Sequence, residues 1–186
     1  MSNIDGDTLD RFVQQFSSID ETAIAVLKGH LLIEEKIDSI IKLFVFHPQF
    51  IEQSRLSFAQ KLNFAKSMSL DESHNPMWEI CTSLNTLRND FAHSLNSESR
   101  SSKFNNIIKS FKKNVPEPSV DIDSLKDPDK IMYITGTFLG FLNSFHQEIQ
   151  RFKRIVNSID VAINTHRSRA DNPEQQVNAL DAPSRE

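Results

Sequence analysis

The chain has 186 residues, with 25 acidic and 21 basic side chains, 38% hydrophobic residues and one cysteine. This length is enough for one domain with a substantial core and too short for two full domains. The net charge of −4 excludes a protein that coats nucleic acid through bulk positive charge, so any such contact must come from a local patch. The single cysteine, Cys81, cannot form an intrachain disulfide and lies on an apolar stripe, which favours a core role over that of a nucleophile.

Several site classes are excluded by what the sequence lacks. With only 4 glycines it has no glycine-rich phosphate loop, and it has no Cys pair or His spacing typical of a metal site, so we expect neither cofactor nor metal. No stretch approaches the roughly 18 apolar residues that a membrane span needs. The acidic N-terminus has no signal-peptide core, so we expect a cytoplasmic protein.

Apolar residues recur at three-to-four spacing along the chain, which predicts an all-α helical bundle. A short helix is predicted near Thr8–Phe16, and Asp20 is placed to cap a long helix from Glu21 to about Phe46. The His47-Pro48 pair ends that helix. Further helices are predicted up to Ser54, at 57–68, from Met77 to about Leu95, at 100–113, and from Asp127 through position 163.

The last predicted helix is unusually long. Asp127 is expected as its N-cap and Pro128 as its first residue, and its length is about 54 Å. This exceeds the width of a domain of this size, so the helix either bends at Gly136 and Gly140 or projects to meet a partner. We expect one domain over residues 1–165 and a polar, disordered tail at 166–186.

Two polar residues fall on the apolar stripe of the first long helix. Its spacing places His30 and Glu34 inward together with Ala23, Leu27, Ile37, Ile41 and Phe44. A carboxylate inside a bundle needs a cation. The helix from Met77 carries Arg88 near the centre of its own apolar stripe, so we expect Arg88 to lie within reach of Glu34.

The same helix carries Asn85, Asn89 and His93 at four-residue steps, which makes a polar ladder along one edge. One interpretation is structural: Arg88 and Glu34 form an ion pair that fixes helix register, and the histidines are satisfied helix residues. The other is catalytic: Arg88, Asn89 and His93 cleave a phosphodiester without metal, because arginine holds phosphate and histidine titrates near neutral pH.

The segment LNTLRNDFAHSL resembles the HEPN superfamily of small helical bundles, whose motif pairs an Arg and a neighbouring polar residue with a His a few positions later. The segments LKGHLLIEEKIDSIIKLF and RLSFAQKLNFAKSM resemble bacterial HEPN-like proteins related to the mannitol operon repressor. The resemblance covers about residues 20–100. It implies a homodimer that joins two motifs, and either a metal-independent endoribonuclease of toxin, stress or antiphage systems or a non-catalytic regulator.

The resemblance also implies roles for the motif residues. His93 would transfer protons at the ribose 2′-hydroxyl and the leaving oxygen, Arg88 would stabilise the phosphorane-like state, and Asn89 would position Arg88 or the phosphate, giving a 2′,3′-cyclic phosphate. Leu95 stands where HEPN toxins with a nucleotidyltransferase antitoxin tend to have Tyr, so control by tyrosine modification there is not expected. Asp90 adds a negative charge beside the motif.

A basic helix follows the motif and has two interpretations. Its cations, Arg100, Lys103, Lys109, Lys112 and Lys113, either bind RNA phosphates or form an ordinary solvated face. Three functions therefore remain open: an endoribonuclease with supporting residues Glu34, His30 and Asn85, a regulator, and a module whose protein partner fills the groove beside Arg88. A ribonuclease needs His93 beside an open basic cleft, whereas a regulator needs only a buried Arg88–Glu34 pair.

Overall fold

The computed structural model describes residues 20–70, 75–93, 97–115 and 118–165. Within these ranges the chain forms six α-helices and no β-strand, which confirms the predicted all-α fold. The predicted helix at Thr8–Phe16, the tail at 166–186 and Leu95 lie outside the described residues. The helices are α1 (Glu21–Phe44), α2 (Pro48–Gln53), α3 (Phe58–Met68), α4 (Pro76–His93), α5 (Ser97–Asn114) and α6 (Asp127–Ile163), with a 3-10 turn at Ile122–Ser124.

Local sequence explains where the helices begin. The Asp20 carboxylate accepts a hydrogen bond from the Ala23 amide at 2.9 Å and caps α1 as predicted. Ser57 and Gln60 form a reciprocal capping box that starts α3. The prediction for α6 was wrong by one residue, because Lys126 takes the N-cap position and Asp127 lies in the first turn. A carboxylate there is favourable beside the partial positive charge of the helix start.

Helices α1 and α6 run in the same direction along most of their shared length. Lys36 Nζ donates to Asn143 Oδ1 at 3.2 Å, and Lys153 Nζ donates to the Val45 carbonyl at 2.8 Å, so contacting residues are 107 and 108 positions apart. A constant offset means that the two helices stay in register from one contact to the next. The face of α1 that packs inward contains His30, Ile37 and Ile41 as predicted, whereas Leu27 is 37% exposed and Val26 and Ile33 are buried instead.

A glycine sets the closest approach of α1 and α6. A Cβ atom on Gly29 would lie 2.7 Å from Oγ1 and 3.2 Å from Cγ2 of Thr135, so no larger residue fits without movement. Trp78 on α4 completes the core, with its ring in edge contact with Phe138, Phe141 and Phe145 at centroid distances of 6.1, 5.0 and 5.7 Å. The core therefore ties α4 to the α1–α6 pair.

The α4–α5 hairpin carries the predicted motif and the basic helix. Asp90 on α4 pairs with Lys103 on α5, whereas the next α4 residue, Phe91, lies against the earlier α5 residue Arg100, so the two helices run in opposite directions. Helix α5 begins at Ser97, three residues before the predicted start, and so includes Glu98 in its first turn. The hairpin places the end of α4, with His93, beside the beginning of α5.

Helix α6 extends past the end of α1. It is one continuous helix through Gly136 and Gly140, about 55 Å long over its 37 residues. Its last buried residue is Ile149, whereas Ile155, Ile159 and Ile163 are more than half exposed. Of the two alternatives for this helix, the structure therefore favours projection. Across the described ranges, every helix is too short or too polar to cross a membrane.

Candidate functional site

The site is built around His30, a buried histidine in the middle of α1. Its Nε2 atom lies 3.0 Å from Oδ1 of Asn85 on α4, so the ring donates the Nε2 proton across the helix interface. Its face packs against Phe58 of α3, with ring centroids 4.2 Å apart. His30 therefore joins three helices at one point, and its position is fixed on both the ring edge and the ring face.

Burial lowers the pKa of His30 below its ordinary value. The hydrogen bond to Asn85 and the charge of Glu34 act in the opposite direction, while the nearby Arg88 charge lowers the pKa further. The Nδ1 atom is buried without a hydrogen bond and lies 3.9 Å from Oε2 of Glu34. With the proton on Nε2, the neutral ring presents a lone pair to that carboxylate. His30 is therefore a neutral positioning residue at physiological pH, unsuited to carry a proton to solvent.

The expected pairing of Arg88 with Glu34 was wrong, because Lys61 of α3 takes that place. Lys61 Nζ lies 2.8 Å from Oε1 of Glu34 and 2.8 Å from Oδ2 of Asp38. Burial alone lowers the pKa of Lys61, but its hydrogen bonds to the two carboxylates raise it on balance. Glu34 is 28% exposed, so the carboxylate is at the edge of the bundle rather than in its interior. Glu34 therefore has a cationic partner other than Arg88.

Arg88 is half-buried, and its Nη1 atom donates to Oδ1 of Asn89 at 3.1 Å. Within residues 20–70, 75–93, 97–115 and 118–165, no carboxylate lies within 4.0 Å of its guanidinium nitrogens. A guanidinium has five N–H donors, and the Asn89 bond uses one of them. The rest of the fork is available for an anion such as phosphate, for which arginine has the matching planar geometry.

The predicted polar ladder leads from the core to the surface. Asn85 is half-buried and bonded to His30, while Asn89 and His93 are exposed. His93 is the last residue of α4, so its imidazole is open to solvent and to any substrate that approaches this end of the hairpin. The structure thus brings Arg88 and Asn89 into contact and places His93 one helical turn beyond Asn89, on the same edge of the helix.

Asp90 faces away from this ladder toward α5. Its Oδ1 atom lies 2.5 Å from Lys103 Nζ, and its Oδ2 atom accepts from Ser99 Oγ at 2.9 Å. These two hydrogen bonds hold the pKa of Asp90 below its ordinary value. The negative charge beside the motif is therefore compensated within the hairpin.

The five cations of the basic helix are divided by the structure into two groups. Three of them have intramolecular partners: Lys103 pairs with Asp90, Lys112 with Asp123, and Arg100 lies 4.0 Å from Asp20. Lys109 and Lys113 are exposed, and neither has an ion pair within the described part of the chain. Only these two are free to contact a phosphate without first giving up a protein partner.

Arg100 faces a separate polar cleft of about 320 Å³. Its guanidinium also lies 5.2 Å from the centre of the Phe91 ring, a distance typical of a cation–π contact. Asp20 and Asp127 line the same cleft, so an anion bound there would face two carboxylates. This cleft is therefore a poor phosphate site, and Arg100 acts mainly in packing the start of α5 against the start of α1.

The remaining candidates for chemistry are inactive or absent in the described part of the molecule. Burial raises the pKa of the Cys81 thiol to about 12, so the thiolate is not populated near neutral pH. Among the described residues, no group of three or more His, Cys, Asp or Glu side chains is placed to hold a metal ion.

Lys61 and Asp38, which complete the charge network around Glu34, were not predicted from the sequence. A signal was present, because Lys61 comes three residues after Phe58 and four before Ala65, on the helical spacing of the α3 apolar stripe. A lysine on such a stripe indicates a buried or half-buried carboxylate opposite it.

In comparisons with known proteins, no family model, no curated protein and no solved structure matches this chain.

Proposed function

We propose that the chain is a metal-independent endoribonuclease of the HEPN type and that Arg88, Asn89 and His93 form its catalytic set. The observation that carries this proposal is the contact between Arg88 and Asn89, on an exposed helix edge that also holds His93. A structural role for Arg88 would be expected to pair it with Glu34, but that carboxylate is bound to Lys61. Arginine with an amide partner and free donors is instead suited to an anionic ligand.

The proposed reaction is transesterification within the RNA strand. A general base removes the proton of a ribose 2′-hydroxyl, the 2′-oxygen attacks the adjacent phosphorus, and the bond from phosphorus to the 5′-oxygen breaks. The 5′-oxygen takes a proton, which leaves a 2′,3′-cyclic phosphate and a 5′-hydroxyl. His93 exchanges protons at one of these two oxygens, and Arg88 stabilises the added charge on the phosphate in the transition state. Asn89 holds the Arg88 fork in position.

Two proton transfers need two groups, and one chain offers a single exposed histidine at the motif. We therefore propose a homodimer in which each copy supplies one His93. An exposed apolar stripe on α1, formed by Ile24, Leu27 and Leu31, borders His30 and is the surface we assign to this contact. Once it is buried between the two copies, this stripe would exclude water from the cleft beside the motif and strengthen the charge interactions there. The HEPN resemblance further suggests a cytoplasmic role in stress or phage defence.

The test is cleavage of total RNA and of a defined tRNA in the presence of EDTA. We expect wild-type protein to leave 2′,3′-cyclic phosphate ends and His93→Ala to lose at least about 100-fold in rate, as expected for removal of a general acid or base. His47→Ala is the matched control, because His47 is also exposed but follows the end of α1 that is far from the motif. No cleavage by wild-type protein would remove the ribonuclease proposal and leave a regulator or a protein-binding module.

A further inference from the structure

The projecting end of α6 exposes an apolar face. Phe152, Ile155, Ile159 and Ile163 recur at three-to-four spacing and are 47%, 58%, 53% and 72% exposed. Phe152 stacks on Phe44 near the end of α1, with ring centroids 6.2 Å apart, and α6 then continues eleven residues beyond this contact, about 16 Å. These last turns therefore lie beyond the α1 helix that covers the earlier part of α6.

An apolar groove continues this face at the base of the projection. Its volume is about 560 Å³, and it lies between the end of α1, α2 and the α6 residues Phe152 and Val156. Phe46 and Phe50 form its outer wall and are 61% and 62% exposed. Lys153 closes one edge, with its ammonium 4.4 Å from the centre of the Phe46 ring. We call the groove and the exposed turns of α6 together the α6 tip surface.

The area of the α6 tip surface is that of an interface. With about 200 Å² for each fully exposed side chain of this size, its three phenylalanines and three isoleucines expose about 700 Å². The largest apolar patch on a typical monomer is about 300–600 Å². A standard interface takes about 800 Å² from each partner. An exposed apolar area of this size is typical of a surface that binds another protein chain.

The chain that follows α6 does not suit that role. Residues 166–186 begin at the tip, but among their 21 residues Val177 and Leu180 are the only large apolar ones. Two such side chains cannot cover about 700 Å².

We infer that the α6 tip surface binds a second copy of this chain, with the two α6 helices antiparallel. If the two-fold axis passes beside Asn157, Ile155 of one copy meets Ile159 of the other, and Phe152 meets Ala162. In the same arrangement Ile163 of one copy lies opposite Arg151 of the other, next to the groove that is lined by Phe46 and Phe50. Each projecting end therefore enters the groove of its partner, and the contact is the same for both copies.

Charge favours the antiparallel arrangement over the parallel one. Within its exposed turns, α6 has its basic residues Arg151, Lys153 and Arg154 at the beginning and Asp160 near the end. Antiparallel packing brings the basic turn of one copy alongside the C-terminal carbonyls of the other, which carry partial negative charge. Parallel packing would place the basic turns of the two copies side by side.

This contact is separate from the one proposed beside the motif. The offset between α1 and α6 places His30 at the level of position 137 of α6, some twenty residues and about 30 Å from the axis at Asn157. The two contacts therefore use opposite ends of the bundle. A tip variant and a motif-side variant such as Leu27→Asp can consequently be measured independently, and failure of one proposal does not imply failure of the other.

The test is the assembly mass of the full chain by light scattering or sedimentation at fixed concentration. In the Leu27→Asp background, which removes the motif-side contact, we expect Ile155→Asp/Ile159→Asp to halve the assembly mass, with unchanged helicity because both side chains are exposed. Met132→Asp is the matched control: Met132 is 64% exposed at the other end of α6, and its replacement is expected to leave the mass unchanged. An unchanged mass in the tip variant overturns the proposal, as does a monomeric wild-type protein.

A spin-label distance then tests the antiparallel geometry. A nitroxide at Ser158→Cys lies beside the proposed axis, so the two labelled backbones are expected to be about 10–15 Å apart. The native Cys81 is buried and does not take the label. A distance well beyond this range contradicts the antiparallel contact. A chain that lacks residues 166–186 is expected to keep the wild-type stoichiometry, and loss of the assembly in that chain would assign the contact to the tail.

Discussion

Nε2 of His30 lies 3.0 Å from Oδ1 of Asn85, and this hydrogen bond joins α1 to the helix that carries Arg88. We expect Asn85→Ala to lower the free energy of unfolding by about 1–2 kcal/mol, because the buried Nε2 proton loses its acceptor. Asn89→Ala is the control on the same helix edge. Since Asn89 is exposed, that change should cost less than about 0.5 kcal/mol. Urea unfolding followed by circular dichroism measures both, and equal values for the two variants would contradict the assigned role of His30.

The lowered pKa of His30 predicts loss of stability in acid. Above pH 6.5 the ring is neutral in both the folded and the unfolded chain, so the full contribution of His30 to folding stability is present. As the pH falls below 6.5, the unfolded chain takes up the proton first, so stability falls until the lower folded pKa is passed. We expect Tm to decrease more steeply between about pH 7 and pH 5 in wild type than in His30→Gln. His146, whose pKa burial also lowers, contributes equally to both proteins. Parallel curves would refute the prediction.

The close approach at Gly29 predicts opposite effects for two glycine substitutions. Gly29→Ala should destabilise the fold by about 1–3 kcal/mol, since the new methyl group meets Thr135. Gly140→Ala should stabilise it by about 0.5–1 kcal/mol, because no atom lies within 4 Å of its added Cβ and alanine favours the helix. Thermal unfolding of both variants gives the sign directly, and destabilisation by Gly140→Ala would argue against the described path of α6.

Lys109 and Lys113 are predicted to carry the nonspecific part of RNA binding. Replacing both with Ala in a His93→Ala background should weaken tRNA binding and reduce the salt slope by about 1–2, because each free lysine neutralises one phosphate. Lys112→Ala is the control, since Lys112 already pairs with Asp123. Binding measured across a salt series separates these outcomes. An equal loss in Lys112→Ala would indicate that the whole helix face acts as one patch.

Periodicity predicted most of the fold because helix starts and ends depend on local residues. Asp20, Ser57 and the His47-Pro48 pair act within one helical turn, so their effects are visible in the sequence. The partner of Glu34 was not predictable in this way. Which of two cations reaches a carboxylate depends on how α3 and α4 lie against α1, and several such arrangements satisfy the same apolar stripes. Lys61 lies four positions before Ala65, on the same face of α3 as its apolar residues.

The exposure of Leu27 has the same explanation. Spacing places Leu27 on one edge of the apolar face of α1, but the direction of that face is set by α6, which lies nearest Gly29. The neighbouring edge with Val26 and Ile33 is therefore buried, and Leu27 is left 37% exposed. The spacing of apolar residues predicts the apolar face of a helix to within about one residue on each side. Which edge of that face is buried depends on where the neighbouring helix packs.

The most direct test is the single-turnover rate of cleavage of one defined tRNA in EDTA by wild type and by Arg88→Ala. The proposed mechanism predicts cyclic-phosphate products from wild type and a rate at least about 100-fold lower for Arg88→Ala, because the transition-state charge loses its guanidinium partner. Arg151→Ala, on the exposed part of α6, should cleave at the wild-type rate. Equal rates for wild type and Arg88→Ala, or no cleavage by wild type, would contradict the proposed mechanism.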